Sequence, residues 1–300
     1  MWSSEAYSTL SASYATKSTA EIFTSRGIDP LMDPTGLLFR ECRDSGVNPE
    51  TLAIIFALDV TGSMGVVPEH LVRHKLGSLI ETLIAHGIPS PQVCFLAVGD
   101  HLSDSAPLQV GQFEAGTVEL NQWLTKAYLE GGGGGGNHES YLLAYLFGGR
   151  HTSIDCYEKR GQKGFLFTTG DERSHTDVDA ANLKKILGYG QSEDLTFDQL
   201  LMEAQKTYHV FHIHCNETMY RNNSDVFDFW KGKLGQNFIV LDDQNVIAET
   251  VASTVAVMHG LDLKEITKTF DSKTALSVEK ALVHVSQEVA KRPSEGVMTL

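Results

Sequence analysis

Asp59-Val60-Thr61-Gly62-Ser63 sets a carboxylate and two hydroxyls at alternate positions on a turn built about Gly62. Oxygens so arranged can converge on a hard divalent cation, which takes oxygen ligands and leaves its other positions to water or to a partner's oxygen. Mg²⁺ is the ion this chemistry predicts, with Mn²⁺ or Ca²⁺ as substitutes. The same residue types also cap helices, so the weight of the pattern depends on what precedes it. Here a continuous apolar run, Ile54-Ile55-Phe56-Ala57-Leu58, leads straight into Asp59. Such a run suits a strand covered on both faces.

The elements that must position this turn are encoded in the pattern downstream. Leu71, Val72, Leu76, Leu79, Ile80, Leu83 and Ile84 recur at three- and four-residue spacings, which predicts an amphipathic helix from Pro68 to His86, closed by Gly87. Gln92 to Val98 then reads as a second apolar strand. Strand, helix and strand make a βαβ unit with a right-handed crossover. A short edge strand from Pro107 to Phe113 and a helix from Thr117 to Glu130 come after it. Next are six consecutive glycines, Gly131 to Gly136, then Asn137-His138-Glu139-Ser140, after which Tyr141, Leu142, Tyr145 and Leu146 resume helical spacing.

Further strands are predicted at 164–169, 210–215 and 237–242, with helices over 194–208 and 243–260. In the tail, Val278, Ala281, Leu282, Val285 and Val289 form one helical stripe, which packs either back on the domain or on another protein. The alternation gives an α/β fold: a doubly wound, mostly parallel, Rossmann-like sheet flanked by helices, whose ligand crevice lies beyond the carboxyl ends of the strands. We divide the chain into an N-terminal arm, 1–49, the α/β domain, 50–262, and a C-terminal helical tail, 263–300. Within the arm, Ser3 to Thr24 reads as a short helix around Ala15 to Phe23, an extended piece over a partner, or disorder. Arg40-Glu41-Cys42-Arg43-Asp44-Ser45 reads as surface salt links.

Composition limits the function classes. The 300 residues carry a formal charge of -14, which argues against the cationic footprint that nucleic-acid binding relies on. No run approaches the length of a membrane span, and the N-terminus lacks a basic segment followed by an apolar core. Cytoplasmic residence is the resulting expectation. Cys42, Cys94, Cys156 and Cys215 form no Cys-x-x-Cys pair and read as small buried side chains. Alternation puts His212 and His214 on one strand face, a geometry open to a metal pair. With no third ligand at an obvious spacing, hydrogen bonding to neighbouring elements is the preferred reading.

From about Glu50 to Gly260 the chain resembles the von Willebrand factor A (vWA) family, whose metal-ion-dependent adhesion site opens with Asp-x-Ser/Thr-x-Ser. The resemblance implies that Asp59, Thr61 and Ser63 hold the ion together with Asp171, the carboxylate that ends the 164–169 strand, where Glu172 is the competitor. The family's second motif, usually a Thr after a glycine-rich loop, falls on Gly136 or Asn137, and only Asn137 offers a side-chain oxygen. Asp100, at the end of the second strand, serves either the ion's surroundings or the capping of its own loop. The function implied is a divalent-cation-dependent protein-interaction module that binds a partner's Asp or Glu carboxylate. An AAA+ ATPase or a larger assembly is the partner class suggested.

A metal-dependent hydrolase using the same crevice, or a metal-free scaffold with a degenerate site, are the alternatives. A haloacid-dehalogenase phosphatase needs a second Asp where Thr61 stands, and a P-loop needs a Gly-Lys-Ser/Thr that the glycine run does not supply. Ser63, His138, His151 and His175 are the residues a His-assisted nucleophile would draw on. Their spacing does not support one.

Overall fold

The computed structural model describes residues 4–14, 16–64, 67–88, 90–130, 138–189 and 193–291. Its centre is a six-stranded sheet of β1 (Thr51–Asp59), β2 (Ser90–Val98), β3 (Leu108–Glu114), β4 (Gly164–Gly170), β5 (Tyr208–Cys215) and β6 (Phe238–Leu241). In space the order is β6-β5-β4-β1-β2-β3. All pairs are parallel except β2 with β3, which closes one edge antiparallel. The sheet is thus doubly wound and mostly parallel, as the alternation predicts. After β1 the chain winds outward through β2 and β3, then returns to the other side of β1 for β4. The reversal places the topological switch point between β1 and β4, where such folds open their ligand crevice.

Every residue of β1, β2 and β4 is buried, which is why these strands read as apolar runs rather than as alternating ones. Helices Leu76–Ala85, Thr117–Lys126, Leu142–Arg150, Phe197–Thr207 and Ile247–Met258 occupy the predicted places with shorter ends. The helix expected from Pro68 is divided into an α-turn at Val67–His70, a π-helical turn at Leu71–Lys75, and Leu76–Ala85. The extra residue of a π-helical turn rotates the succeeding helix about its axis. Lys75 from that turn reaches Glu249 on a neighbouring helix, Nζ to Oε1 2.7 Å.

The sequence pattern does not announce the helices Ala180–Leu187 and Ser224–Leu234, whose apolar stripes are short. Each is announced instead by a side-chain cap, Asp179 accepting from the Asn182 N–H and Asn223 from those of Asp225 and Val226. In the first forty-odd residues the helix is Ser4–Tyr14, upstream of the expected one, and only Thr19–Ile22 makes a short turn there. Tyr14, Ile22, Phe23 and Met32 are buried in the same core as the sheet. The tail forms the helix Ser272–Lys291, which packs back on β6 and on Ile247–Met258 with Val278, Ala281, Leu282 and Val285 buried.

The Arg40–Ser45 cluster is more than surface salt links. Arg40–Cys42 pairs in parallel with Thr152–Ile154, and Arg43 meets the buried Asp155 at 2.8 Å as well as Glu158 at 2.7 Å. Among the described residues no helix is long and apolar enough to cross a membrane.

Candidate functional site

β1 delivers Asp59 to the switch point with no solvent exposure. Its Oδ1 accepts the Thr61 N–H at 2.9 Å and the Thr61 hydroxyl at 2.6 Å, a local turn that tethers the carboxylate at the end of its own strand. The backbone then enters a 3₁₀ turn at Gly62–Met64. The Ser63 side chain and the whole of Asn137 lie outside the described residues.

β4 ends at Gly170, and Asp171 succeeds it, fully buried. Asp171 Oδ2 accepts the Tyr220 N–H at 3.3 Å from the loop after β5. The ends of β1 and β4 are neighbours in the sheet, and Asp171 is close enough for its charge to act on Asp59.

The groups that the sequence pattern does not single out come from the segment after the glycines. His138–Glu139 pairs in parallel with Arg173–Ser174, and the Ser140 N–H donates to Gly99 O at 3.2 Å, so this segment runs between the ends of β2 and β4. That course carries Glu139, buried, to the same strand ends, where its Oε2 has no hydrogen-bond partner among the described residues. Tyr141 comes next and donates its hydroxyl to Asp59 Oδ2 at 2.7 Å. The tyrosine lies so close over Gly170 that a Cβ there would stand 1.8 Å from its hydroxyl oxygen. Trp230 packs edge-on against its ring at 5.6 Å. One signal was available: Glu139 and Tyr141 stand just beyond Asn137, but the motif directs attention to the first side-chain oxygen alone.

Electrostatics reflect this packing. Burial, with repulsion from Asp171, raises the Asp59 carboxyl to about 7 against the hydrogen bonds from Thr61 and Tyr141. Burial, then the charges of Asp59 and Glu172, raises Glu139 to about 10, and burial with the charges of Asp171 and Asp59 raises Glu172 to about 8. Buried carboxylates are stable when protonated or when a cation compensates them. Asp59 and the Thr61 hydroxyl are oxygen donors of the kind a hard divalent ion takes, but among the described residues the His, Cys, Asp and Glu side chains close enough to share one ion are Asp100, His101 and His175, not Asp59, Asp171 and Glu139.

Asp100 caps its own loop: Oδ1 accepts the Leu102 N–H at 3.0 Å and Oδ2 the Ser103 hydroxyl at 2.9 Å. Burial would raise this carboxyl, but His175 at 2.7 Å and these donors outweigh it and lower it to about 2. His212 and His214 are both fully buried. His212 meets Thr168 Oγ1 at 2.9 Å and stacks on Trp230 at 3.6 Å, while His214 meets Phe227 edge-on at 5.0 Å. Hydrogen bonding describes His212; His214 is held by aromatic packing.

No protein-family model and no curated protein matches the chain. Among solved structures it is similar to the pilus adhesin SpaC from Lactobacillus rhamnosus GG, with 10% identity and a TM-score of 0.44 over 72% of this chain and 31% of that one. It is also similar to a von Willebrand factor type A protein from Catenulispora acidiphila, with 12% identity and a TM-score of 0.41 over 72% of this chain and 47% of the other. The conserved hypothetical protein BatB from Bacteroides thetaiotaomicron has 12% identity and a TM-score of 0.41, over 70% of this chain and 100% of its own. The chain thus spans about a third of the SpaC structure and about half of the Catenulispora one.

Proposed function

We propose that the chain is a vWA-type interaction module whose strand-end carboxylates hold a divalent cation, Mg²⁺ before Mn²⁺ or Ca²⁺, to which a carboxylate of a protein partner binds. Asp59, Thr61 and Asp171 would hold the ion, with Ser63 and Asn137 as the other donors of the resembled motif and Glu139 as a further buried carboxylate beside them. The observation that carries the reading is the burial of Asp59, Asp171 and Glu139 at one switch point, with one Glu139 oxygen lacking any partner among the described residues. A bound divalent ion supplies the positive charge that lets a partner's Asp or Glu approach an otherwise repulsive surface. Tyr141 holds Asp59 through the carboxylate oxygen that Thr61 leaves free, and Trp230 backs the tyrosine.

The partner class is an AAA+ ATPase or a larger assembly, and neither nucleic acid nor a membrane. Cytoplasmic residence belongs to the same proposal. The four cysteines are all free and buried, as suits a reducing compartment.

Calorimetric titration of Mg²⁺ and Mn²⁺ into the wild type and Asp59→Ala tests the reading. The expected result is one binding event in the wild type that releases protons, because the ion displaces them from raised carboxyls, and none in the variant. A wild type silent to both ions refutes the cation site. Phosphate release from simple esters that disappears in Asp59→Ala would replace the adhesion reading by a hydrolase.

A further inference from the structure

A second constellation lies along the same edge of the sheet, on the β2 side. Asp100 and His101 stand just beyond β2, and His175 just beyond the short strand Arg173–Ser174. One donor atom from each of Asp100, His101 and His175 lies within 4.8 Å of the other two. Asp100 and His101 are buried and His175 is partly exposed, so the group has an inner wall and an open side. We propose that these three residues form a separate metal site for a nitrogen-preferring transition ion of the Zn²⁺ class. It does not depend on how Asp59 and Asp171 are read.

Three features carry this. The donor set is two imidazoles and a carboxylate, which suits Zn²⁺ and its transition-metal neighbours rather than Mg²⁺. A tetrahedral ion with bonds of about 2.0–2.1 Å holds its ligands about 3.3 Å apart. Asp100 Oδ1 and His175 Nε2 lie 2.7 Å apart and the donor atoms of all three residues within 4.8 Å of one another, which brackets that spacing. The backing is also in place. His101 Nδ1 lies 2.7 Å from Ser140 Oγ, which also accepts the His101 N–H at 2.8 Å. With its proton on Nδ1, His101 presents Nε2 as a bare donor, the way metal-bound histidines are oriented by an outer partner.

The third feature is the ring packing: His138 stacks on His175 at 5.4 Å, and His101 meets the same ring edge-on at 4.8 Å. Three histidines from three segments thus gather at one point. His138 sits at the rim, half-buried, and a water or a partner oxygen would take the fourth position.

The test uses the full chain, stripped with chelator, and Co²⁺ as a probe whose visible absorption reports four-coordination. The expected result is one equivalent of Co²⁺ with strong visible bands, displaced by Zn²⁺ and not by excess Mg²⁺. His101→Gln and His175→Gln each weaken it by at least about tenfold, and Asp59→Ala leaves it intact. In parallel, Zn²⁺ added to the wild type shifts the imidazole ¹⁵N resonances of His101 and His175, a readout independent of whether any variant folds. Imidazole resonances that do not move, or cobalt bands indifferent to both histidine variants, overturn the proposal. Bands lost in Asp59→Ala but kept in the histidine variants move the ion to the oxygen-lined site and overturn it equally.

Discussion

Asp59→Asn separates the charge at the switch point from its shape. The amide retains an oxygen for the Thr61 N–H and hydroxyl, which lie 2.9 and 2.6 Å from the native carboxylate, and the Tyr141 hydroxyl can turn to accept from the new NH₂ group. The loss is one ionisable group with no solvent exposure. In the metal-free wild type, burial and the Asp171 charge raise the Asp59 carboxyl from 3.8 to about 7. Because the folded value lies above the unfolded one, the native state keeps a proton that the unfolded chain has already released. The Asp59 contribution to native stability therefore falls as pH rises from about 4 to about 7 and then levels off, while Glu172 and Glu139 carry the decline further. A shift of about three units corresponds to about 4 kcal/mol for an isolated group. Glu139 and Glu172, themselves raised to about 10 and about 8, exchange protons with it. Their sharing brings the part that one substitution recovers nearer about 2 kcal/mol.

In chelator, then, Asp59→Asn should match the wild type at about pH 4.5 and exceed it by about 2 kcal/mol at about pH 8. Urea midpoints across that range measure the difference. Saturating Mg²⁺ should raise the wild type at the high-pH end and leave the variant unmoved, since the ion takes the place of the protons. Wild-type stability that is flat or rising between about pH 5 and pH 8 would refute the reasoning. So would an Asn variant equally destabilised at both ends.

The same packing gives three further outcomes. Gly170→Ala puts a Cβ 1.8 Å from the Tyr141 hydroxyl oxygen. It should cost about 1–3 kcal/mol and weaken Mg²⁺ binding by displacing the tyrosine from Asp59, seen by thermal melting and by calorimetry on the same sample. Tyr141→Phe removes the donor at 2.7 Å from Asp59 Oδ2. It should move the Asp59 titration up by about one unit, read as more protons released per Mg²⁺ bound near neutral pH. Lys75→Met leaves Glu249 buried without its cation at 2.7 Å. It should cost about 3 kcal/mol, and Lys75→Met with Glu249→Leu should recover most of that in denaturant midpoint.

The apolar runs of β1, β2, β4 and β5 declare themselves in the sequence because burial on both faces favours apolar side chains at nearly every position of a strand. The Leu76–Ala85, Phe197–Thr207 and Ser272–Lys291 helices are legible for the complementary reason, one apolar stripe at helical spacing. Carboxylates at strand ends are equally local: Asp59, Asp100 and Asp171 stop runs that would otherwise continue. The sequence by itself therefore determined the fold class and the edge of the sheet where chemistry collects.

Which of those edge groups meet was decided by tertiary structure alone. The return of β4 to the far side of β1 puts Asp171 beside Asp59, and no periodicity encodes the order of strands. The pairing of His138–Glu139 with Arg173–Ser174 brings in Glu139, aims Tyr141 at Asp59, and sets His138 against His175. The proposed oxygen-lined site draws on residues 59, 139, 141 and 171, and the proposed histidine site on 100, 101 and 175. Side-chain periodicity reports how a residue sits relative to its own element, whereas convergence on an ion depends on where several elements end. That information resides in the sheet's topology and in the close fit of Tyr141 over Gly170.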